Sequence, residues 1–254
     1  MDSQVKISII TVSYNSVLTI EDTIKSVVNQ KYDNIEYIII DGGSTDGTVD
    51  IIKKYSNKIY YWVSEPDKGI YDAMNKGLRI ATGEIIGIIN SDDWYCPEIF
   101  SMIAKEYIKN PYSVIHGNLN YILKDRTEIY KPELNEEQYY KKTFLMHPTM
   151  FVPHVVYKEL GYFNPQYKIA ADFDLMLRIV ENGYSLTYLD TTISNMRSGG
   201  ESCTNLLRAY KEVKDIALLH GYSKYNIYKI YIRNVYEHYK SKLKGYIKEG
   251  YKGI

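Results

Sequence analysis

The sequence predicts an α/β fold built on a mostly parallel central sheet flanked by helices, with a helical C-terminal extension. Three observations carry that reading. Apolar runs rich in β-branched residues recur at 6–13, 35–41, 59–64 and 85–92, and continuous runs of this kind suit strands covered on both faces. Segments of helical periodicity separate them, long enough for the right-handed crossovers that parallel pairing requires. The run Ile85, Ile86, Gly87, Ile88, Ile89 then ends in Asn90, Ser91, Asp92, Asp93. A buried strand thus delivers two adjacent carboxylates to the sheet edge where ligands of such folds sit.

Taken in order, strand 6–13 is followed by Thr19 with Asp22 three residues on, the opening of a helix that runs to about Gln30. Strand 35–41, helix 48–55, strand 59–64 and helix 71–81 lead into the strand that ends at Asp92. Four strands alternating with three helices form a nucleotide-binding half. A helix near 97–110 follows, and then a less regular stretch with strands expected at 113–116, 120–123 and 149–152. Another helix begins at Asp172, where Leu175, Met176 and Ile179 recur at helical spacing. Two final helices, 202–220 and 225–245, are separated by Gly221 as a stop signal.

A chain of 254 residues with 45% hydrophobic composition can bury one large core, or one core and an appendage. No stretch approaches the roughly 18 consecutive apolar residues of a spanning helix, and the N-terminus lacks a secretory pattern, so a cytoplasmic location is expected. Cys96 and Cys203 show neither zinc nor redox spacing and are expected as free thiols. The formal charge of zero hides an uneven distribution: residues 223–254 carry +6 and the preceding body −6. A basic tail on an acidic body points to an anionic surface as partner; no nucleic-acid partner is expected.

Beyond the first two strands lie Thr11, Val12, Ser13, Tyr14, Asn15 and the run Asp41, Gly42, Gly43, Ser44, Thr45, Asp46, Gly47, Thr48. Asp41 can accept a base N–H, Tyr14 offers a flat face for stacking, and the glycines permit close backbone approach. A plainer reading makes Asp46 a helix cap and the glycines turn residues. The pattern is not the dinucleotide GxGxxG, and the downstream Asp92 and Asp93 point instead to a metal-bound nucleotide diphosphate. Adjacent carboxylates in a closed site need a compensating cation, and hard oxygen ligands suit Mg²⁺ or Mn²⁺. The competing reading has Ser91, Asp92 and Asp93 cap the helix near Pro97.

With these residues in view, the chain resembles the family-2 inverting glycosyltransferases of GT-A fold, in particular those of bacterial surface-polysaccharide biosynthesis. The likeness spans roughly residues 6–200 and rests on TVSYNS at 11–16, IIIDGGSTDGT at 38–48, SEPDKGIYDAMNKG at 64–77, ATGEIIGIINSDDWY at 81–95 and AADFDLMLR at 170–178. It implies a GT-A nucleotide-diphospho-sugar transferase fold; together with the charge distribution this divides the chain into a catalytic domain at 1–222, with a nucleotide-binding half (1–95) and an acceptor-binding half (96–222), and a basic helical tail at 223–254. It also implies that Thr11, Tyr14 and Asp41 hold the nucleobase and ribose. Lys68 and Asp72 would lie in the loop that closes over the nucleotide, Asp92 would touch ribose or sugar, and Asp93 would ligate Mn²⁺ or Mg²⁺. Asp172 occupies the place of the family's general base. The family often keeps an acidic residue just before it, whereas here Ala171 stands there. Asp174 is a rival base, but residues two apart on a helix point away from each other.

His147 and Trp94 are candidates for substrate contacts, each with an equally good structural role in the core. Arg197, ahead of Ser198, Gly199 and Gly200, could clamp the diphosphate from a mobile loop. In the tail, Tyr228, Ile232, Val235, Tyr239, Leu243 and Tyr246 form one helical stripe beside Lys229, Arg233, Lys240 and Lys244. Such a helix suits either peripheral contact with the inner face of the membrane or packing on protein, including a second subunit. The expected activity is metal-dependent, inverting transfer of a sugar from a nucleotide-diphosphate donor, a UDP-sugar, to a hydroxyl of a glycan or lipid-linked acceptor. A sugar nucleotidyltransferase would need a basic loop after the first strand, which TVSYNSVLT lacks. A catalytically silent nucleotide-sugar-binding subunit of a synthase would have no need of Asp92, Asp93 and Asp172 together.

Overall fold

Four parallel strands form the first half of the sheet: β1 (Ile7–Ser13), β2 (Ile35–Asp41), β3 (Tyr61–Ser64) and β4 (Ile85–Asn90), in the order β3-β2-β1-β4. The computed structural model describes residues 4–132, 139, 145–200 and 204–250. The strands are joined by α1 (Ile20–Val28), α2 (Thr48–Lys54) and α3 (Ile70–Ile80). Every residue of β1 is buried, as are the first five of β4, which is what β-branched runs covered on both faces require. Register sets Ser13 opposite Asp41, Asp41 opposite Ser64 and Val12 opposite Asn90. The chemistry-bearing loops therefore leave one edge together. β3 starts later than the apolar run suggests because Ser56–Lys58 turn as a 3₁₀ helix.

Side chains alternate between two cores. Ile7, Ile9, Ile39, Ile85 and Ile89 pack with Ile20, Ile24 and Val27 of α1 and with Phe100 and Ile103 of α4 (Ile99–Lys109). On the opposite face α3 lies so close to β1 that a Cβ on Gly77 would sit 2.5 Å from Ile10 Cγ2. Thr19 stands where the helix-opening pattern put it, next to the first residue of α1, but its side chain makes no cap bond to the helix.

Beyond β4 come β5 (Trp94–Tyr95), β6 (Val114–Ile122), β7 (Thr127–Tyr130), β8 (Phe151–Pro153), α5 (His154–Leu160), α6 (Ala171–Glu181) and β9 (Leu186–Arg197). The sheet runs β3-β2-β1-β4-β8-β6-β9-β5, with β7 paired to β6 off that path. β8 is antiparallel to both neighbours, and β5 pairs antiparallel to β9, so the second half is mixed. The two strands expected at 113–116 and 120–123 are one strand, β6. Gly117 and Asn118 read as a break, yet they form a bulge against β9, where a Cβ on Gly117 would meet the Leu189 and Thr191 carbonyls at 2.8 Å. β9 escapes the apolar pattern because much of it is only partly buried and it carries Thr, Asp, Ser and Asn.

All strands and α1–α6 belong to one compact unit, residues 1–134 with 144–198; residues 135–143 with 199–254 make a second. The division at 222/223 drawn from composition separates charge, whereas these units separate contacts. Within the second unit α7 (Leu206–Leu219) packs on α8 (Lys224–Gly250), burying Ile216, Ala217 and Ile227. Lys214 lies over the rings of Tyr228 and Tyr231. Val235 is half-buried, while Tyr225, Tyr228, Ile232, Tyr236 and Tyr239 are exposed beside Lys229, Arg233 and Lys240. Of the stripe read in the sequence, Tyr228, Ile232 and Tyr239 are exposed and only Val235 is turned partly inward, with Tyr225 and Tyr236 extending the exposed face; the side chains of Leu243 and Tyr246, and Cys203, lie outside the described residues. Cys96 is a free thiol. Among the described residues no helix is long and apolar enough to cross a membrane.

Candidate active site

At the ends of β1, β2 and β3, Asp41 is fully buried and its carboxylate is filled from within the protein. Oδ1 accepts from the hydroxyls of Ser13 (2.7 Å) and Ser44 (2.6 Å). Oδ2 accepts from the Ser64 hydroxyl (2.7 Å) and the N–H groups of Ser44 (2.9 Å) and Gly43 (3.1 Å). Burial alone would raise its pKa; these bonds outweigh it and hold the carboxyl below its ordinary value. Thr11 is equally buried, its hydroxyl bonded to that of Tyr37 at 3.0 Å. Thr11 and Asp41 therefore brace the loops from beneath, and of the trio only Tyr14, 66% exposed, presents a free ring. Asn15, at φ 46°, laces the loops together: its N–H donates to Ser44 Oγ and its side-chain oxygen accepts from Thr45 N–H. The bracing roles of Asn15 and of the serines around Asp41 were not legible in the sequence, because small polar residues near glycines read as ordinary turn chemistry.

The Lys68 side chain is exposed. Its N–H donates to Asp72 Oδ2 at 3.1 Å, closing the turn into α3, and its carbonyl accepts from Lys168 Nζ at 3.1 Å.

Asp92 and Asp93 follow β4 as expected. Asp93 is 1% exposed, its Oδ1 accepting only the Arg197 N–H at 3.1 Å among the bonds described. Burial, and next the charge of Asp92, push its carboxyl up to about 8. Burial also raises Asp92. The charge of Arg197 opposes both shifts without cancelling them, and two adjacent carboxylates so raised are a donor set that fits a hard divalent cation. Among the described residues no three His, Cys, Asp or Glu converge to hold an ion unaided.

Arg197 departs from the mobile clamp expected of it. It is the last residue of β9, its guanidinium donating to the Asp92 carbonyl (2.6 Å) and Asp22 Oδ2 (2.6 Å) and lying 4.4 Å from the Trp94 ring centroid. One face of Trp94 is covered in this way, and Asp22 of α1 joins the site unforeseen by the sequence, where it read only as a helix-start acid. Thr23 adds a second tie from α1, its hydroxyl donating to the Asp93 carbonyl at 2.6 Å.

Across the edge, Asp172 is the second residue of α6. Its Oδ1 accepts from its neighbour Phe173 N–H at 2.9 Å and lies 3.2 Å from the Tyr71 hydroxyl. Burial raises its pKa, opposed by His147, and burial lowers that of His147. The His147 ring stands edge-on to Phe163, centroids 5.8 Å apart. Asp174 is engaged otherwise: its Oδ2 accepts from Arg178 Nε at 2.9 Å, and the same guanidinium donates to the carbonyls of Leu160, Gly161 and Tyr162. The two rival acids thus have different surroundings, one in a structural ion pair and one beside a histidine and a phenol.

A sequence profile of glycosyl transferase family 2 matches residues 8–162. An uncharacterized glycosyltransferase of Mycobacterium tuberculosis, MT1564, is 32% identical over 183 residues, covering 70% of each chain. Among solved structures, the Staphylococcus aureus TarS fragment 1-349 in complex with UDP-GlcNAc superposes with a TM-score of 0.69 at 20% identity, over 92% of this chain and 73% of the fragment. The protein spans 43% of the longer TarS chain. The mannosyltransferase PcManGT of Pyrobaculum calidifontis, in complex with GDP-Man and Mn²⁺, superposes with a TM-score of 0.63 at 17% identity over 85% of this chain and 64% of that one. The fold is of GT-A type.

Proposed function

Because the chain belongs to glycosyl transferase family 2, we propose that it moves one sugar from a UDP-sugar to a hydroxyl of a glycan or lipid-linked glycan, with inversion at the anomeric carbon. The observation that carries this reading is the adjacent pair Asp92, half-buried, and Asp93, buried, at the carboxyl edge of the parallel strands, both carboxyls raised by burial in spite of the nearby Arg197. That edge is where a diphosphate lies in open α/β sheets. Tyr14 stacks on the base, over loops stiffened by Asp41. Asp92 bonds ribose or sugar, and Lys68 and Asp72 border the nucleotide.

Asp93 would hold the divalent cation, Mn²⁺ or Mg²⁺. When bound, such an ion neutralises the charge that develops on the leaving diphosphate. PcManGT, with Mn²⁺ and a nucleotide sugar bound, supports this assignment by likeness of fold.

Asp172 acts as general base. The acceptor oxygen forms a bond to the anomeric carbon as the bond to the diphosphate oxygen breaks; the electron pair leaves with UDP and the acceptor's proton passes to Asp172. A raised carboxyl is a better proton acceptor so long as it stays ionised at working pH. Arg197 holds Asp93 and Trp94 in place, and Trp94 and His147 border the sugar. The test is calorimetric titration with UDP, with and without Mn²⁺, on the wild type and Asp93→Ala. Metal should tighten UDP binding in the wild type only; equal binding in all four cases would refute the assignment.

A further inference from the structure

The Tyr71 hydroxyl sits between two oxygens, the Ile169 carbonyl at 2.7 Å and Asp172 Oδ1 at 3.2 Å. A phenol has one O–H to give and lone pairs with which to accept. It cannot donate to both oxygens at once. With Asp172 ionised, the O–H has a charged acceptor on one side and a neutral one on the other, and charge-assisted bonds are the stronger. With Asp172 protonated, the carboxylic O–H can donate to Tyr71 Oη, sharing that oxygen with the backbone N–H groups of Ala171 and Asp172, while the phenol O–H turns to the Ile169 carbonyl.

We infer that the Tyr71 hydroxyl is a two-position rotor that keeps Asp172 hydrogen-bonded in both protonation states, which makes Tyr71 a positioning residue for proton transfer. This rests on Asp172 being the general base. The ring itself has nowhere to go. It is 7% exposed and lies against Phe163, centroids 5.4 Å apart, so only a hydrogen moves between the two states. Tyr71 belongs to the first turn of α3, the turn that Asp72 closes on Lys68, and the rotor therefore ties the donor-side loop to the base.

The other groups around Asp172 act differently. The Phe173 N–H is a fixed donor to the same Oδ1. His147 opposes the rise in its pKa. Lys168 donates to the Lys68 carbonyl, and Arg178 is paired with Asp174. Tyr71 is the hydroxyl that can reverse its role.

The experiment follows the Asp172 carboxyl carbon by NMR in full-length protein labelled with ¹³C-aspartate, the resonance assigned by its loss in Asp172→Asn. Tyr71→Phe keeps the ring and should raise the Asp172 midpoint by about one pH unit, because a bond is lost in both protonation states and the one to the charged form is the stronger. UDP affinity with Mn²⁺ should stay within twofold. The acidic limb of UDP release, with the UDP-sugar that a donor screen selects, should move up with the midpoint. A fluorinated tyrosine placed at 71, a stronger donor on the same ring, should move the midpoint down and decides the matter even if Tyr71→Phe folds poorly. Unmoved midpoints in the substituted proteins overturn the rotor. Full turnover in Asp172→Asn would instead overturn the base assignment, so the two failures are distinguishable.

Discussion

At the scale of single residues, acids of the same type do different work, and their partners decide which. Asp41 receives five hydrogen bonds from its own loops, Asp174 holds Arg178, Asp93 has one backbone donor, and Asp172 faces a phenol. Asp172→Asn should lower sugar transfer about 10² to 10⁴-fold while leaving UDP affinity intact, measured by turnover and calorimetry side by side. Asp41→Asn should behave in the opposite manner. An amide cannot accept from all five donors, so the loops loosen, and protection of the 42–48 backbone against hydrogen exchange should fall together with UDP affinity. The positions of Asp92, Asp93 and Asp172 were legible because each borders a strong periodic signal, the first two at the end of a β-branched run and the third at the start of a helical one. What Thr11, Asp41 and Arg197 touch was not legible, since it depends on Tyr37, on serines up to 28 residues away, and on Asp22, 175 residues away.

At the scale of elements, the opposite edge of the sheet is pinned by a buried charge. Glu36, 1% exposed on β2, accepts from Lys6 Nζ (2.5 Å), Ser8 Oγ (2.6 Å), and the N–H and hydroxyl of Thr82 (both 2.7 Å). It thereby joins β1 and β2 to the turn before β4. Burial would raise its carboxyl, but these bonds prevail and bring it to about 2. A carboxyl lowered on folding adds stability above its unfolded value of 4.5, and that stability drains away as pH falls toward 2. Glu36→Gln should cost about 1–3 kcal/mol near neutral pH and flatten the loss of stability between about pH 5 and 2, as urea melts across pH would register. Gly87→Ala should cost about 1–3 kcal/mol by overpacking, because a Cβ there would lie 2.7 Å from Phe151 and 2.8 Å from the Tyr95 hydroxyl; thermal unfolding tests it. The four parallel strands and their helices were readable from periodicity alone. β5, β7, β9 and α5 were not, because short or half-exposed segments carry no continuous apolar run and owe their form to partners far along the chain.

For the whole molecule, the balance of charge sets the next expectation. The exposed tyrosines and Ile232 on α8 lie beside Lys229, Arg233 and Lys240, a surface suited to an anionic bilayer, where each basic side chain contributes about 1 kcal/mol. Full-length protein should sediment with phosphatidylglycerol vesicles at low salt and release at high salt. The triple change Lys229→Glu, Arg233→Glu, Lys240→Glu should abolish sedimentation; equal sedimentation with neutral phosphatidylcholine vesicles would exclude an electrostatic role. The closure of the acid site across the sequence has a consequence in time. Arg197 meets Asp93 from 104 residues downstream, and Tyr71 meets Asp172 across 101. Synthesis delivers the parallel half first, and distant contacts form only after the intervening chain has been made. A nascent chain can therefore organise the loops after β1 and β2 early, while Asp93 gains its backbone donor, and Asp172 its phenol, only when β9 and α6 emerge. The two acids carried by β4 and α6 are thus completed late, well after the loops of β1 and β2 have been made.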